Sequence, residues 1–278
     1  MRAALMVLLV LLLLRAPVAV AAAGDSFRLF AQSVLPGLFP YMTVSLMLLS
    51  RLPRDVPPLA LMVMGWCGGS PTGSRLIREA AWLRDGDRRR LAVTCATMSP
   101  MFLVGTLRDW TGDIRLCAGV LCAVLLGGYG TGLCARGSRR AAPCSDAPAP
   151  PSRPLSLGEA VEQTARTMLL VCGTMAMLRI AAVLSSRLLA RWSICQLAVT
   201  TLLEVTCGAR QLAALPLPRV WRGALLSLAT GFGGVSILLQ NRAVLPEGLL
   251  RLREQLMYQL LHGAVSMLVF LALAALGV

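Results

Sequence analysis

Apolar residues in this chain gather into long runs, unlike the short amphipathic stripes of a soluble fold. After Met1-Arg2 an apolar run continues to Leu14, followed by Arg15-Ala16-Pro17 and the small residues Ala21 to Gly24. Residues 1–23 therefore fit either a first transmembrane helix kinked at Pro17 or a cleavable signal peptide. Both readings put 24–28 outside. Further spans are predicted at 29–50, 91–108, 114–134, 166–186, 220–241 and 256–276, near the roughly 20 apolar residues a helix needs to cross a bilayer.

Charge placement sharpens the topology. Cytoplasmic loops of membrane proteins carry an excess of basic residues. Arg51 and Arg54, the run Arg84 to Arg90, and the segment 135–154 are net basic and belong inside; the balanced turn of Arg108, Asp109, Asp113 and Arg115 goes outside. Residues 57–83 then begin and end on one side, which predicts a re-entrant hairpin folded at Gly68-Gly69-Ser70-Pro71-Thr72-Gly73. Irregular backbone at that depth is tolerated only where it is buried in protein or lines a cavity. Segment 135–154, rich in Pro, Ala and Arg, reads as a flexible cytoplasmic linker between residues 24–134 and 155–278.

The two halves resemble each other in order. Thr72-Gly73-Ser74-Arg75 parallels Cys207-Gly208-Ala209-Arg210, and the break Met98-Ser99-Pro100 parallels Gly233-Gly234-Val235-Ser236. One half begins inward and the other outward, so the repeats are expected to be inverted. The predicted fold class is an all-α, polytopic membrane protein with about seven spans and two re-entrant or broken helical hairpins. Paired broken helices in corresponding places of two halves point to a transporter's binding site; small residues that merely permit close packing are the plainer alternative.

Composition agrees with the bilayer as solvent. Of 278 residues, 56% are hydrophobic and only 14% charged, against about a quarter charged in soluble domains. All 27 basic residues are arginine, giving a net charge of +14, but they cluster in short connections without interleaved aromatics, which argues against nucleic-acid binding. The nine cysteines are scattered without a CxxC pair, and His262 is the lone histidine, so no metal or cofactor is implied. With no histidine beside a Ser or Thr, nucleophilic catalysis lacks its base and the chain does not read as an enzyme.

Ionisable residues within apolar runs need an account. Arg75 and Glu79 stand four apart and can pair on one helix face. Glu204 precedes the Gly208 break, with Arg210 just beyond it. In the functional reading Arg75 and Arg210 hold an anion, helped by helix N-termini at the glycine breaks, and Glu204 binds a coupling ion or a polar solute. In the structural reading Glu204 pairs with Arg210, and Arg75 with Glu79 or a headgroup. The candidate substrate-binding set is Gly69, Ser70, Thr72, Gly73, Ser74, Arg75, Ser99, Glu204, Thr206, Gly208, Arg210, Gly233, Gly234, Ser236 and Gln240. Gln240 and Asn241 would supply neutral hydrogen bonds or serve as interfacial caps.

The series Leu35-Pro36-Gly37-Leu38-Phe39-Pro40-Tyr41, Gly68 to Ser74, Ser99-Pro100-Met101-Phe102-Leu103-Val104-Gly105, Leu203 to Gly208 and Gly231 to Gln240 resembles the sporulation integral membrane proteins with a nucleoside-recognition, or Gate, domain. Cys67 and Cys207 within the motifs and the short central linker depart from that pattern. The resemblance implies a distant relation to concentrative nucleoside transporters and a multi-pass protein of the cell membrane, with the outer forespore membrane as one location. It also implies carriage of a small organic anion, dipicolinic acid, during spore maturation. A nucleoside carrier and a membrane scaffold for sporulation proteins are the alternatives. Expected partners are the lipid bilayer and a small-molecule anion or nucleoside; a homo-oligomer is left open.

Overall fold

The computed structural model describes residues 6, 10, 12–53, 56–135, 153–189 and 191–277; among them there are helices and connections but no β-strand. Nearly all of the expected 135–154 linker and much of residues 1–11 lie outside this set. Five described helices are long and apolar enough to cross a membrane: Ala16–Leu49, Ile114–Cys134, Leu157–Ser186, Arg219–Val244 and Leu252–Ala275.

The first departs from expectation. Residues 24–28 form no turn: α1 (Ala16–Leu29) runs through a π-helical turn (Phe30–Val34) into α2 (Leu35–Leu49) as one rod. Gly24-Asp25 is polar enough to look like a connection. The helix nevertheless continues because α1 and α2 lie along α8 (Leu157–Leu188), which buries Ala19 and Ala22 against Ile180 and Leu184, and Leu38, Met42 and Leu46 against Met168, Val171 and Met175. The pair is antiparallel. The backbone N–H of Leu155 donates to Ser50 Oγ at 3.0 Å at one end, and Ala19 packs near Leu184 at the other. A capping box starts α8, with Ser156 and Glu159 each accepting the other's backbone N–H.

The remaining elements come in broken pairs. In the first half α3 (Pro58–Gly68) and α4 (Thr72–Glu79) form a hairpin, followed by α5 (Asp85–Thr94), a non-helical stretch over 95–99, a π-helical segment (Met101–Thr106) and α6 (Leu107–Thr111), and then α7 (Ile114–Cys134). In the second half α9 (Ser193–Leu203) and α10 (Val205–Ala213) are separated by Glu204, α11 (Arg219–Phe232) and α12 (Gly234–Val244) by Gly233, and α13 (Leu252–Ala275) closes the chain. The order of a long helix, a short pair, a second broken pair and a long helix thus occurs twice.

Close backbone approach shows that each short pair folds back on itself. A methyl placed on Gly65 would lie 3.5 Å from Gly73 Cα, the two glycines flanking the Gly69 turn. A methyl on Gly208 would lie 2.5 Å from Thr201 Cα, across the Glu204 break. The main core lies between α7, α11 and α13. There Gly119 and Gly223 admit the ring of Phe270, and Gly127 and Gly231 admit Ser266. Lipid offers no hydrophobic drive to associate, so such small residues set how near membrane helices come.

Polar pairs tie the ends together. Arg219 Nε meets Asp113 Oδ2 at 2.9 Å at one end of the bundle. At the other, buried Arg89 donates to the Leu249 carbonyl at 2.6 Å and pairs with Glu254 at 3.3 Å, while Arg78 reaches the Val244 carbonyl at 3.5 Å.

Candidate functional site

Where the broken pairs cross, the backbone breaks touch. In the first half the Ser70 N–H donates to the Thr97 carbonyl at 2.7 Å, and Gly69, at φ +65°, lies so near Ser99 N that any side chain would collide. In the second, Gly234, at φ +69°, faces the carbonyls of Thr201 and Leu202, each 3.1 Å from where a Cβ would stand. Glycine is used at both places because the left-handed backbone and the close approach exclude a Cβ.

The halves also meet each other. Asn241 Oδ1, fully buried on α12, accepts from Ser70 Oγ at 2.5 Å and from Ser74 Oγ at 2.9 Å. A neutral amide is a workable clasp in an apolar interior, since its oxygen accepts two hydroxyls without the desolvation cost of a charge, although its Nδ2 is buried without a partner.

Between these junctions lies a cavity with about 40 Å³ of room for water-sized molecules. The first half contributes Ser33, Val34 and Leu38 from the long rod, Ser70 from the hairpin tip, and Met98, Ser99 and Phe102 from the second break. The second half contributes Val171 and Met175 from α8, Glu204 and Thr206 from the α9–α10 break, and Ser236, Ile237 and Gln240 from α12. Both π-helical segments border it, through Ser33 and Val34 in one and Phe102 in the other. Such segments recur at functional sites.

Glu204 is the one charged residue in that lining and is 1% exposed. Its carboxylate accepts from the backbone N–H of Thr206 at 3.1 Å and of Cys207 at 2.7 Å, so it caps α10 with its own side chain. Two backbone donors and the positive end of a helix offset the cost of burying the charge. The N-terminus of α10 is therefore taken by Glu204. Among the described residues no ion pair joins Glu204 to Arg210.

Of the sequence candidates, Ser70, Ser99, Glu204, Thr206, Ser236 and Gln240 border the cavity. Gly69, Gly233 and Gly234 form the breaks around it, and Gly73 and Gly208 pack the hairpin arms. Thr72 and Ser74 are buried just behind the hairpin tip, Ser74 on Asn241. The arginines stand apart. Arg75 pairs with Glu79 at 2.9 Å and donates to Gln163 Oε1 at 2.7 Å, fastening the hairpin to α8. Arg210 is exposed and lines a separate depression.

Sequence reasoning did not single out Ser33, Phe102, Val171 or Met175, which look like any other membrane-helix residue. Asn241 was legible as a neutral hydrogen-bonding residue or an interfacial cap, but not as the clasp between the halves. Its signal was a polar residue inside an apolar run, next to Gln240.

No protein-family model, no curated protein and no solved structure matches the chain.

Proposed function

We propose that this chain is a membrane transporter for a small polar organic solute, which it binds in the cavity where the two pairs of broken helices cross. One observation carries this reading: both halves line a single cavity with apolar walls and several polar side chains, and each half contributes an unwound hairpin tip to it. Discontinuous helices meeting near the middle of a membrane bundle are how transporter folds expose backbone and polar side chains to a solute.

The same reading takes the halves as an inverted repeat. The long rod of the first half ends beside the start of α8 at Ser50 and Leu155, so the two halves set out in opposite directions. The α3–α4 hairpin returns to the Arg89 end of the bundle, and the α9–α10 hairpin to the Asp113 end. At about 10–15 Å³ per water, 40 Å³ admits roughly three waters and no larger solute, which corresponds to an occluded state that opens as one half shifts against the other.

A small organic anion is the first substrate reading, with dipicolinic acid suggested by the Gate-domain resemblance, as are the sporulation role and the forespore location. A neutral nucleoside is the second. The cavity lining favours it, since Glu204, Gln240 and the hydroxyls of Ser70, Ser99, Thr206 and Ser236 offer hydrogen bonds and no cation. Uptake of a labelled panel of dicarboxylates and nucleosides into proteoliposomes tests the reading. Saturable uptake of one class that Glu204→Gln or Ser236→Ala weakens is the expected result. Absence of uptake of every solute by folded protein would leave the scaffold in its place.

A further inference from the structure

The Arg210 depression opens at the same end of the bundle as Asp113 and Arg219. It has about 580 Å³ of space, bordered among others by Asp25, Arg28, Gln32, Arg179, Arg210 and Gln211. It lies further along the same three elements that border the central cavity. Met175 borders the cavity and Arg179 the depression, one turn further along α8; Thr206 and Arg210 have the same relation on α10. On the rod, Ser33 is followed outward by Gln32 and Arg28.

Its charge is unbalanced. Three guanidiniums face one carboxylate, and that one, Asp25, lies 3.9 Å from Arg28 with both side chains mostly exposed, a geometry that contributes little. No described carboxylate pairs with Arg179 or Arg210, and Arg179 Nε is buried without a hydrogen-bond partner. The opposite end of the bundle spends its buried arginines on Glu254, Asp85 and backbone carbonyls.

We infer that this depression is a vestibular binding site for a solute bearing a carboxylate or phosphate, held by Arg28, Arg179 and Arg210 before it enters the central cavity. A concave surface of one sign concentrates oppositely charged solutes, and the guanidinium fork matches a planar carboxylate or a phosphate with two donors. The volume suits a whole small organic anion, whereas the central cavity admits only its water-sized parts in this state. The depression supplies the cations that the central cavity, with Glu204, Gln240 and its hydroxyls, lacks, so a solute with both an anionic group and hydrogen-bonding groups meets the two as successive stations. The binding stands by itself; its part in transport rests on the transporter reading above.

The test uses the full chain in nanodiscs of zwitterionic lipid, with radiolabelled succinate and inorganic phosphate as probes. Combined Arg28→Gln and Arg210→Gln changes exposed side chains only and spares the fold; Arg179→Gln is added separately. Wild type is expected to bind at least one probe, with affinity falling several-fold between about 50 and 300 mM salt. The double variant is expected to bind about tenfold more weakly, with that salt dependence flattened. Equal binding by wild type and variants, or no binding by wild type, overturns the inference. So does complete loss of probe binding when phosphatidylglycerol is added to the disc, because the arginines would then hold lipid headgroups. Uptake separates the two proposals. Succinate bound but no solute moved refutes transport and keeps the vestibule. Uptake of succinate with the same KM in wild type and double variant refutes the vestibule and keeps transport.

Discussion

Ser70 at the tip of the first hairpin donates its hydroxyl to Asn241 Oδ1 across the boundary between the two halves, at 2.5 Å. Ser74, one turn deeper, donates to the same oxygen. Both hydroxyls are buried, so one amide side chain fixes the hairpin's position relative to α12.

Removing that acceptor should loosen the hairpin. Asn241→Leu leaves two buried hydroxyls to find other partners and is expected to lower stability by about 2 kcal/mol. Ser70→Ala combined with Ser74→Ala in the same background should recover part of the loss. Thermal unfolding in detergent gives the comparison; simple additivity of the three changes would mean that the clasp is not shared.

Gly208 is predicted to tolerate nothing larger. Its Cβ would stand 2.5 Å from Thr201 Cα, backbone that cannot swing aside. Gly208→Ala should therefore cost about 1–3 kcal/mol of stability. Gly130→Ala, where nothing lies within 4 Å, should be neutral or stabilise by up to about 1 kcal/mol through helix propensity. Equal melting temperatures for the two variants would contradict the hairpin packing.

The cap that Glu204 makes on α10 and its proposed contact with solute can be separated by mutation. Its cap on α10 predicts a loss of about 1 kcal/mol in Glu204→Ala and less in Glu204→Gln, which keeps one acceptor oxygen. Solute affinity should fall in both variants. A Glu204→Gln protein with wild-type melting and wild-type uptake would confine the residue to capping.

Arg89 joins α5 to the turn before α13, through the Leu249 carbonyl and Glu254. Because the Glu254 side chain is one-third exposed, Glu254→Gln should cost only about 1 kcal/mol, and less in high salt. Arg89→Leu removes a buried cation, leaves the Leu249 carbonyl without its donor and leaves Glu254 solvated at little cost. A larger loss in Arg89→Leu than in Glu254→Gln would show that the carbonyl bond dominates.

Three breaks were readable from the sequence because glycine and proline stand out in an apolar run: Gly69, Ser99-Pro100 and Gly233-Gly234 fall where helices end, whereas the break expected at Gly208 lies inside α10 and the chain breaks four residues earlier, where Glu204 caps that helix. The faces of the long helices were not. Lipid and protein interior are equally apolar, so nothing in Val171 or Met175 distinguishes a cavity-facing side chain from a lipid-facing one. The uninterrupted helix through Gly24-Asp25 was hidden for the opposite reason, since two polar residues imitated a turn that packing against α8 overrides. Arg75 and Arg210 occupy similar letters in the two halves yet sit in different surroundings, because Gln163 and Glu79 engage the first alone.

The π-helical turn at Phe30–Val34 gives the first rod a phase. A helix turns about 100° per residue, and a π turn accommodates one residue more than an α turn. Were that turn to tighten, everything before it would swing by roughly a quarter circle relative to Leu38 and Met42, which stay seated on α8. Arg28 would leave the vestibule and another face of α1 would take its place. A single residue of slack beside the cavity therefore sets which side chains the bundle presents at its mouth.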